Sequence, residues 1–275
     1  AFGLLGPNGA GKSTTILMCL GLTEPTSGEV SVCGHDPVRH PLEVKRQVGY
    51  MPEKLGFYEE LSAEGNLKYT AYLNNVSPQA ALPRIQEALE QVGLIDVAKK
   101  RVGQFSHGMK QRLGVADVLV KAPRLVILDE PVSGIDPEGV DQLLELIAHL
   151  NHKMGMTVVL CTHMLNQVER VCQRVGIMVR GQMVLEESLE VLKRGKRYQV
   201  EVKVGEPRAG LLSALQKIEG VDSAEQRGEV FLIDSDRDLR SEVAKVVLAS
   251  ESLLEGIRLQ EKSLEEIYHQ HMRES

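Results

Sequence analysis

The stretch that most constrains this chain is Gly6-Pro7-Asn8-Gly9-Ala10-Gly11-Lys12-Ser13-Thr14, set between the apolar run Phe2-Gly3-Leu4-Leu5 and a helical pattern that begins at Lys12. Glycines at this spacing let backbone N–H groups close around an anion, and the N-terminus of the following helix adds a partial positive charge there. Lys12 supplies a cation within reach of a β- or γ-phosphate, and the Ser13 hydroxyl is placed to ligate Mg²⁺. A turn that merely joined strand to helix would have no use for the Lys-Ser pair. In a strand–loop–helix context the spacing reads as a phosphate-binding loop. It implies an α/β fold whose mostly parallel sheet carries its ligand at the carboxyl ends of the strands.

The rest of the chain supplies chemistry for such a ligand. Leu125-Val126-Ile127-Leu128-Asp129-Glu130 is an apolar strand that delivers two carboxylates at its end. Asp129 is expected to hold the Mg²⁺ hydration shell, and Glu130 to orient or deprotonate an attacking water. Another run, Val158-Val159-Leu160-Cys161, ends at Thr162-His163, where a γ-phosphate contact is open to the histidine. Continuous apolar runs of this kind suit parallel strands buried on both faces. Ser106-His107-Gly108 opens a helix; it reads either as plain capping or as N–H groups offered to a phosphate. Ser133-Gly134-Ile135-Asp136 reads as a turn leading to a helix start at Pro137.

Strand and helix alternate to about Met51, with further strands expected at Val30–Cys33 and Val48–Met51. A helical stretch follows over about 55–122. Within it Ser62 starts one segment, Pro78 opens a helix carrying Ala81, Ile85, Ala88, Leu89 and Val92, and Ser106 caps a third. A crossover helix is expected from Pro137 to Met154. Past Leu192 the composition shifts. Lys193-Arg194-Gly195-Lys196-Arg197 reads as a solvated basic linker, and 198–275 as a small α/β appendage with a strand from Tyr198, a helix near Leu211, a hairpin ending at Val230–Ile233 and two helices. The second of those helices opens with the capping box Ser263-Leu264-Glu265-Glu266.

A formal net charge of −6 argues against a nucleic-acid partner. The four cysteines are scattered, without C-x-x-C spacing, and read as reduced packing residues rather than a metal site. No apolar run approaches the ~18 residues of a membrane span. Ala1 to Leu5 already reads as a buried strand, so the chain is expected to begin partway through a domain.

The order of these motifs resembles the ABC ATPase family over roughly residues 1–192: phosphate loop, helical insertion, Ser-x-Gly helix start, strand ending in Asp-Glu, Ser-Gly-Ile-Asp loop, strand-Thr-His. The resemblance implies a P-loop NTPase fold, a 1–192 ATPase domain that lacks the family's leading strands, a 193–197 linker and a C-terminal domain similar to that of ABC-2-type exporter subunits. It implies that His163 is the switch histidine. It implies that Ser106, His107, Gly108 and Asp136 face the nucleotide of a second ATPase subunit across a head-to-tail dimer. Here Phe105-Ser106-His107-Gly108-Met109 stands where the family usually has Leu-Ser-Gly-Gly-Gln, and Glu53 stands where the family has a Mg²⁺-sensing Gln, so Glu53 becomes a metal-ligand candidate. The function implied is ATP hydrolysis that powers an integral-membrane permease, with export favoured. The chain would then be cytoplasmic and peripheral on the inner face of the membrane. A soluble non-transport ATPase and a non-hydrolysing regulatory module are the alternatives.

Overall fold

The computed structural model describes residues 1–194, 198–208 and 210–261. The chain divides into two compact units, Ala1–Leu189 and Glu190–Ser275.

The first unit is built from β1 (Phe2–Leu5), α1 (Lys12–Cys19), α2 (Pro41–Gln47), β2 (Val48–Met51), α3 (Ala63–Leu73), α4 (Pro78–Gln91), α5 (His107–Leu119), β3 (Leu125–Asp129), α6 (Pro137–His152), β4 (Thr157–Thr162), α7 (Leu165–Val171), β5 (Arg174–Val179) and β6 (Gln182–Ser188). The strands form one sheet in the order β2-β3-β4-β1-β5-β6. The first five run parallel and β6 returns antiparallel to β5. Val126, Leu128, Val158, Leu160, Val175 and Ile177 are fully enclosed, because helices cover both faces of a parallel sheet. The alternating connections leave the strand ends carrying Leu5, Asp129 and Thr162 side by side, since Leu5 pairs with Thr162 and Asp129 with Cys161.

The helix starts follow the sequence chemistry. Ser62, Ser77, Ser106 and Asp136 each accept a hydrogen bond from a backbone N–H three residues on, and Pro78 and Pro137 occupy the first turn. The helical stretch is not a detached appendage. α5 lies on β2 so closely that a Cβ at Gly49 would stand 2.3 Å from Val118 Cγ1.

The expected strand at Val30–Cys33 does not form. Only an isolated bridge pairs Val32 with His35. Gly28, Cys33 and Gly34 all hold positive φ, so the chain reverses before a ladder can grow. The sequence reading also did not single out α2, α7, β5 or β6.

The second unit begins within α8 (Leu189–Arg194). It continues as β7 (Tyr198–Gly205), α9 (Leu211–Leu215), β8 (Val221–Arg227), β9 (Val230–Ser235), α10 (Arg240–Ala249) and β10 (Leu253–Glu261). The antiparallel sheet runs β10-β7-β9-β8, and this β-α-β-β-α-β order is the ferredoxin-like split βαβ arrangement. One face is covered. Val200, Val202, Val204, Phe231 and Ile233 alternate inward against Leu211, Leu215, Val243 and Val247. Lys193 and Arg194 of the expected linker belong to α8, and 195–197 lie outside the described residues. The expected final helix from Ser263 also lies outside them. The strand β10 was not foreseen, because a register shift between Leu254 and Gly256 breaks the alternation that would have announced it.

Candidate functional site

The loop after β1 turns on positive φ at Gly9 (81°) and Gly11 (100°), conformations that side chains rarely adopt. Gly6 is required for another reason: a Cβ there would lie 2.4 Å from the Met178 carbonyl of β5. The turn between β5 and β6 props the loop from outside, Gly181 N–H donating to Ala10 O at 2.9 Å. Pro7, Asn8 and Gly9 form the outer rim, Asn8 and Gly9 exposed, while Ala10 is buried beneath them. Lys12 folds back into the ring. Its ammonium donates to Gly6 O at 2.7 Å and Pro7 O at 3.1 Å, and the residue is 6% exposed. The nearest charge to the ammonium is the Glu130 carboxylate at 4.0 Å, and an anion seated in the loop would bring it a closer partner. Ser13 and Thr14 are exposed at the helix start.

The carboxylates from β3 close the other side. Ser13 Oγ donates to Asp129 Oδ2 at 3.1 Å, although 116 residues separate them in the chain. Asp129 is buried, and its charge is felt nearby. Burial, with the charges of Asp129 and Glu53 adding to it, pushes the Tyr50 phenol up to about 12. Burial and then Asp129 likewise raise the Cys161 thiol, which is inert packing.

Glu130 has φ 49°, a left-handed backbone that a glutamate adopts only when its surroundings impose it. Here Glu130 N–H is held by Cys161 O at 2.8 Å and Glu130 O by Ser133 N–H at 3.1 Å. Its carboxylate is then fixed from three directions. His163 Nδ1 lies 2.9 Å from Oε1, the Thr162 hydroxyl 3.2 Å from Oε2, and Lys12 Nζ 4.0 Å from Oε1. Thr162 and the supporting Met178 and Gly181 backbone were not assigned roles by the sequence reading. Thr162 could have been found from its position at the end of β4; the backbone contacts carry no side-chain signal.

The residues fit a Mg²⁺ ion held jointly with a nucleotide. Ser13 Oγ and Asp129 Oδ2 are hard oxygen donors brought together at one edge of the loop. Among the described residues no group of three or more His, Cys, Asp or Glu could hold a metal by itself. Phosphate and water would therefore supply the remaining ligands, the usual arrangement for this ion. Glu53, two residues beyond β2, is exposed and makes no hydrogen bond to Ser13 or Asp129.

A second cluster forms where α5 and α6 begin. Ser106 caps α5 by accepting from Met109 N–H at 3.2 Å, and Asp136 caps α6 by accepting from Gly139 N–H at 3.3 Å. With Gly108 and Arg112 they line a shallow cavity of about 120 Å³. His107 points elsewhere, onto the Ser133 carbonyl at 2.8 Å. No hydrogen bond among the described residues joins this cluster to Lys12 or Ser13.

The family model described as "ABC transporter" matches residues 1–133. The bacitracin transport ATP-binding protein BcrA of Bacillus licheniformis is 34% identical over 267 residues, covering 97% of this chain and 86% of that protein. This chain belongs to the ABC transporter ATP-binding proteins. The lantibiotic transport ATP-binding protein SrtF of Streptococcus pyogenes is 39% identical over 189 residues, 69% of this chain and 79% of that one. The linearmycin resistance ATP-binding protein LnrL of Bacillus subtilis is 40% identical over 184 residues, and the match spans 67% of this chain and 59% of LnrL. Among solved structures, an ATP binding subunit of an ABC transporter superposes with TM-score 0.62 at 34% identity, over 70% of this chain and 80% of that one. The dimeric cassette MJ0796, bound to ADP and Pi after hydrolysis, superposes with TM-score 0.61 at 25% identity, over 68% of this chain and 84% of that one. The P-loop α/β fold expected from the motifs is the fold of these neighbours, and the chain is an ATP-binding ATPase of this family.

Proposed function

We propose that the chain hydrolyses Mg²⁺-ATP to drive an export permease embedded in the membrane, as one of two ATPase subunits that sandwich their nucleotides. The observation that carries the reading is the Glu130 carboxylate: buried, oriented by His163 and Thr162, and set beside Lys12 and the Ser13–Asp129 pair.

In this reading the backbone from Gly6 to Thr14 wraps the phosphates, and Lys12 leaves its two loop carbonyls to pair with the β- and γ-phosphates. Ser13 and Asp129 hold Mg²⁺, which when bound neutralises charge on the phosphates. Glu130 orients the attacking water and accepts its proton. His163 fixes the Glu130 carboxylate and stands next to the γ-phosphate. Ser106, Gly108 and Asp136 face the nucleotide of the second subunit, which their cavity and free helix-start N–H groups favour.

The permease is proposed to seat a short segment in the groove of about 270 Å³ between β2 and α3, walled by Tyr50, Pro52, Phe57, Tyr58 and Tyr69. Exposed Tyr72 and Leu73 extend its rim. Large apolar side chains left in water beside a groove fit a protein partner. No described helix is long and apolar enough to cross a membrane, and in this reading a separate spanning protein carries the cargo. A place on the cytoplasmic face follows from that partner. The names of the relatives, which carry bacitracin, lantibiotic and linearmycin, support a peptide-like or amphiphilic antibiotic as the cargo class.

The test is co-expression with a multi-span membrane protein, should one be encoded beside this chain. Co-purification and stimulated phosphate release support the reading. An ATPase that neither binds that protein nor responds to it removes the transport half of the proposal.

A further inference from the structure

His107 is the first residue of α5, in the segment proposed to meet the partner's nucleotide, yet its ring is engaged within its own chain. Nε2 lies 2.8 Å from the carbonyl of Ser133. A carbonyl only accepts, so Nε2 carries the hydrogen and donates it. The ring sits over Gly134, where φ is 72° and a Cβ would come within 3.2 Å of Nε2. Gln111, one turn along α5 and buried, walls the ring with its amide nitrogen 3.4 Å from Nε2. The same two segments run close together at Gly108 as well, where an added Cβ would lie 3.4 Å from Ile135 Cγ2. From Ser133 the connection continues inward: its N–H donates to Glu130 O at 3.1 Å, and the Glu130 carboxylate meets His163 at 2.9 Å.

We propose that His107 is a positioning residue: through Ser133 it ties the helix start at Ser106–Gly108 to the backbone that aims Glu130. The proposal rests on the catalytic reading of Glu130 given above. It replaces the expectation that His107 contacts the partner's nucleotide, because the donor such a contact would use is already committed to Ser133. Ser106 and Gly108 keep that contact. The physical content is specific. Glu130 is held in a backbone conformation it does not favour, and the Ser133 N–H is one of two hydrogen bonds imposing that conformation. Pinning the Ser133 carbonyl keeps that N–H in place.

The experiment uses the full chain with its permease and compares His107→Gln, His107→Leu and His107→Gly. Glutamine keeps a terminal N–H donor at similar reach, leucine keeps bulk without a donor, and glycine removes both. In the leucine and glycine variants kcat is expected to fall about three- to tenfold, the range for losing one hydrogen bond, with KM and direct ATP binding within about twofold of the parent. The glutamine variant is expected to recover to within about twofold. In a Glu130→Gln background the leucine change is expected to add nothing, because both act through one group. ATP binding reports folding in every variant. A raised KM at unchanged kcat, failure of glutamine to rescue, or additivity with Glu130→Gln overturns the positioning role. Parental turnover that is abolished by Lys12→Ala but untouched by His107→Leu overturns this proposal alone. Turnover that ignores Lys12 overturns the catalytic reading, and this proposal falls with it.

Discussion

The two units exclude water in the same way and differ in what else they enclose. In the first unit the buried polar and charged side chains include Lys12, Asn66, Gln111, Asp129, Glu130, Thr162 and Gln167. In the second, the buried polar side chains among the described residues are Ser235 and Ser252 alone, and the core is aliphatic side chains and Phe231. Burying a charge without a partner is costly, so a fold keeps one only where something compensates it. In the first unit the compensation lies at the strand ends: loop carbonyls around Lys12, Ser13 on Asp129, and His163 and Thr162 on Glu130. The comparison assigns the chemistry to the first unit and leaves the second a packing fold, for which architecture alone indicates no reaction.

The sharpest test of that division is Lys12→Ala, which leaves the phosphate charge unanswered. ATP binding measured by calorimetry is expected to drop below detection and turnover to vanish, while the melting profile of the second unit stays unchanged. Retained affinity would dissolve the assignment of the loop. Glu130→Gln comes next. It keeps size and hydrogen bonding but removes the base proposed above, so phosphate release is expected to fall about a hundredfold or more with binding intact. Gel filtration in Mg²⁺-ATP should then show the dimer accumulating. Phe231→Ala tests the other side. Removing a fully enclosed aromatic should destabilise the second unit by about 3–5 kcal/mol. Calorimetric scanning should show that loss with ATP affinity at the parental value; a matching loss of affinity would join what the comparison separates.

The smallest expected effect concerns Asp117, a half-buried carboxylate on α5. Burial raises its pKa above the ordinary 3.8, with Thr70 and Lys121 opposing, and its Oδ1 has no partner among the described residues. A raised native pKa means the folded state binds the extra proton more tightly than the unfolded chain. The resulting stability is complete below the ordinary value and is lost as pH rises through the raised one. Asp117→Asn should flatten that decline, seen as a melting temperature that changes less between acidic and neutral pH than in the parent. Parallel curves would show that Asp117 is solvated after all.

The site was legible in the sequence wherever its chemistry lies in contiguous residues: Gly6 to Thr14, Asp129-Glu130 and Thr162-His163 each sit at the end of an apolar run. It was not legible where backbone does the holding. The Met178 carbonyl leaves no room for a Cβ at Gly6, and the Ser133 carbonyl holds the His107 ring; a carbonyl is common to every residue. The parallel core strands announced themselves by unbroken hydrophobicity, whereas the register shift before Gly256 hid β10. At Val30–Cys33 the local pattern was right for a strand, but the chain turns back at Cys33 and Gly34 and leaves only the Val32–His35 bridge.

The left-handed backbone at Glu130 has an engineering consequence. A residue without a Cβ would relax there, and the strain it relieves is of order 1–2 kcal/mol. Relief of that size corresponds to a few degrees of melting temperature in a unit of this size. Against that relief stand the contacts of the Glu130 carboxylate with His163, Thr162 and Lys12, which glycine would forfeit, so selection for heat resistance alone sets backbone relief against side-chain loss at position 130. Stabilisation campaigns on it need turnover in the screen from the first round, because melting temperature alone does not report what position 130 contributes to the hydrolysis proposed above.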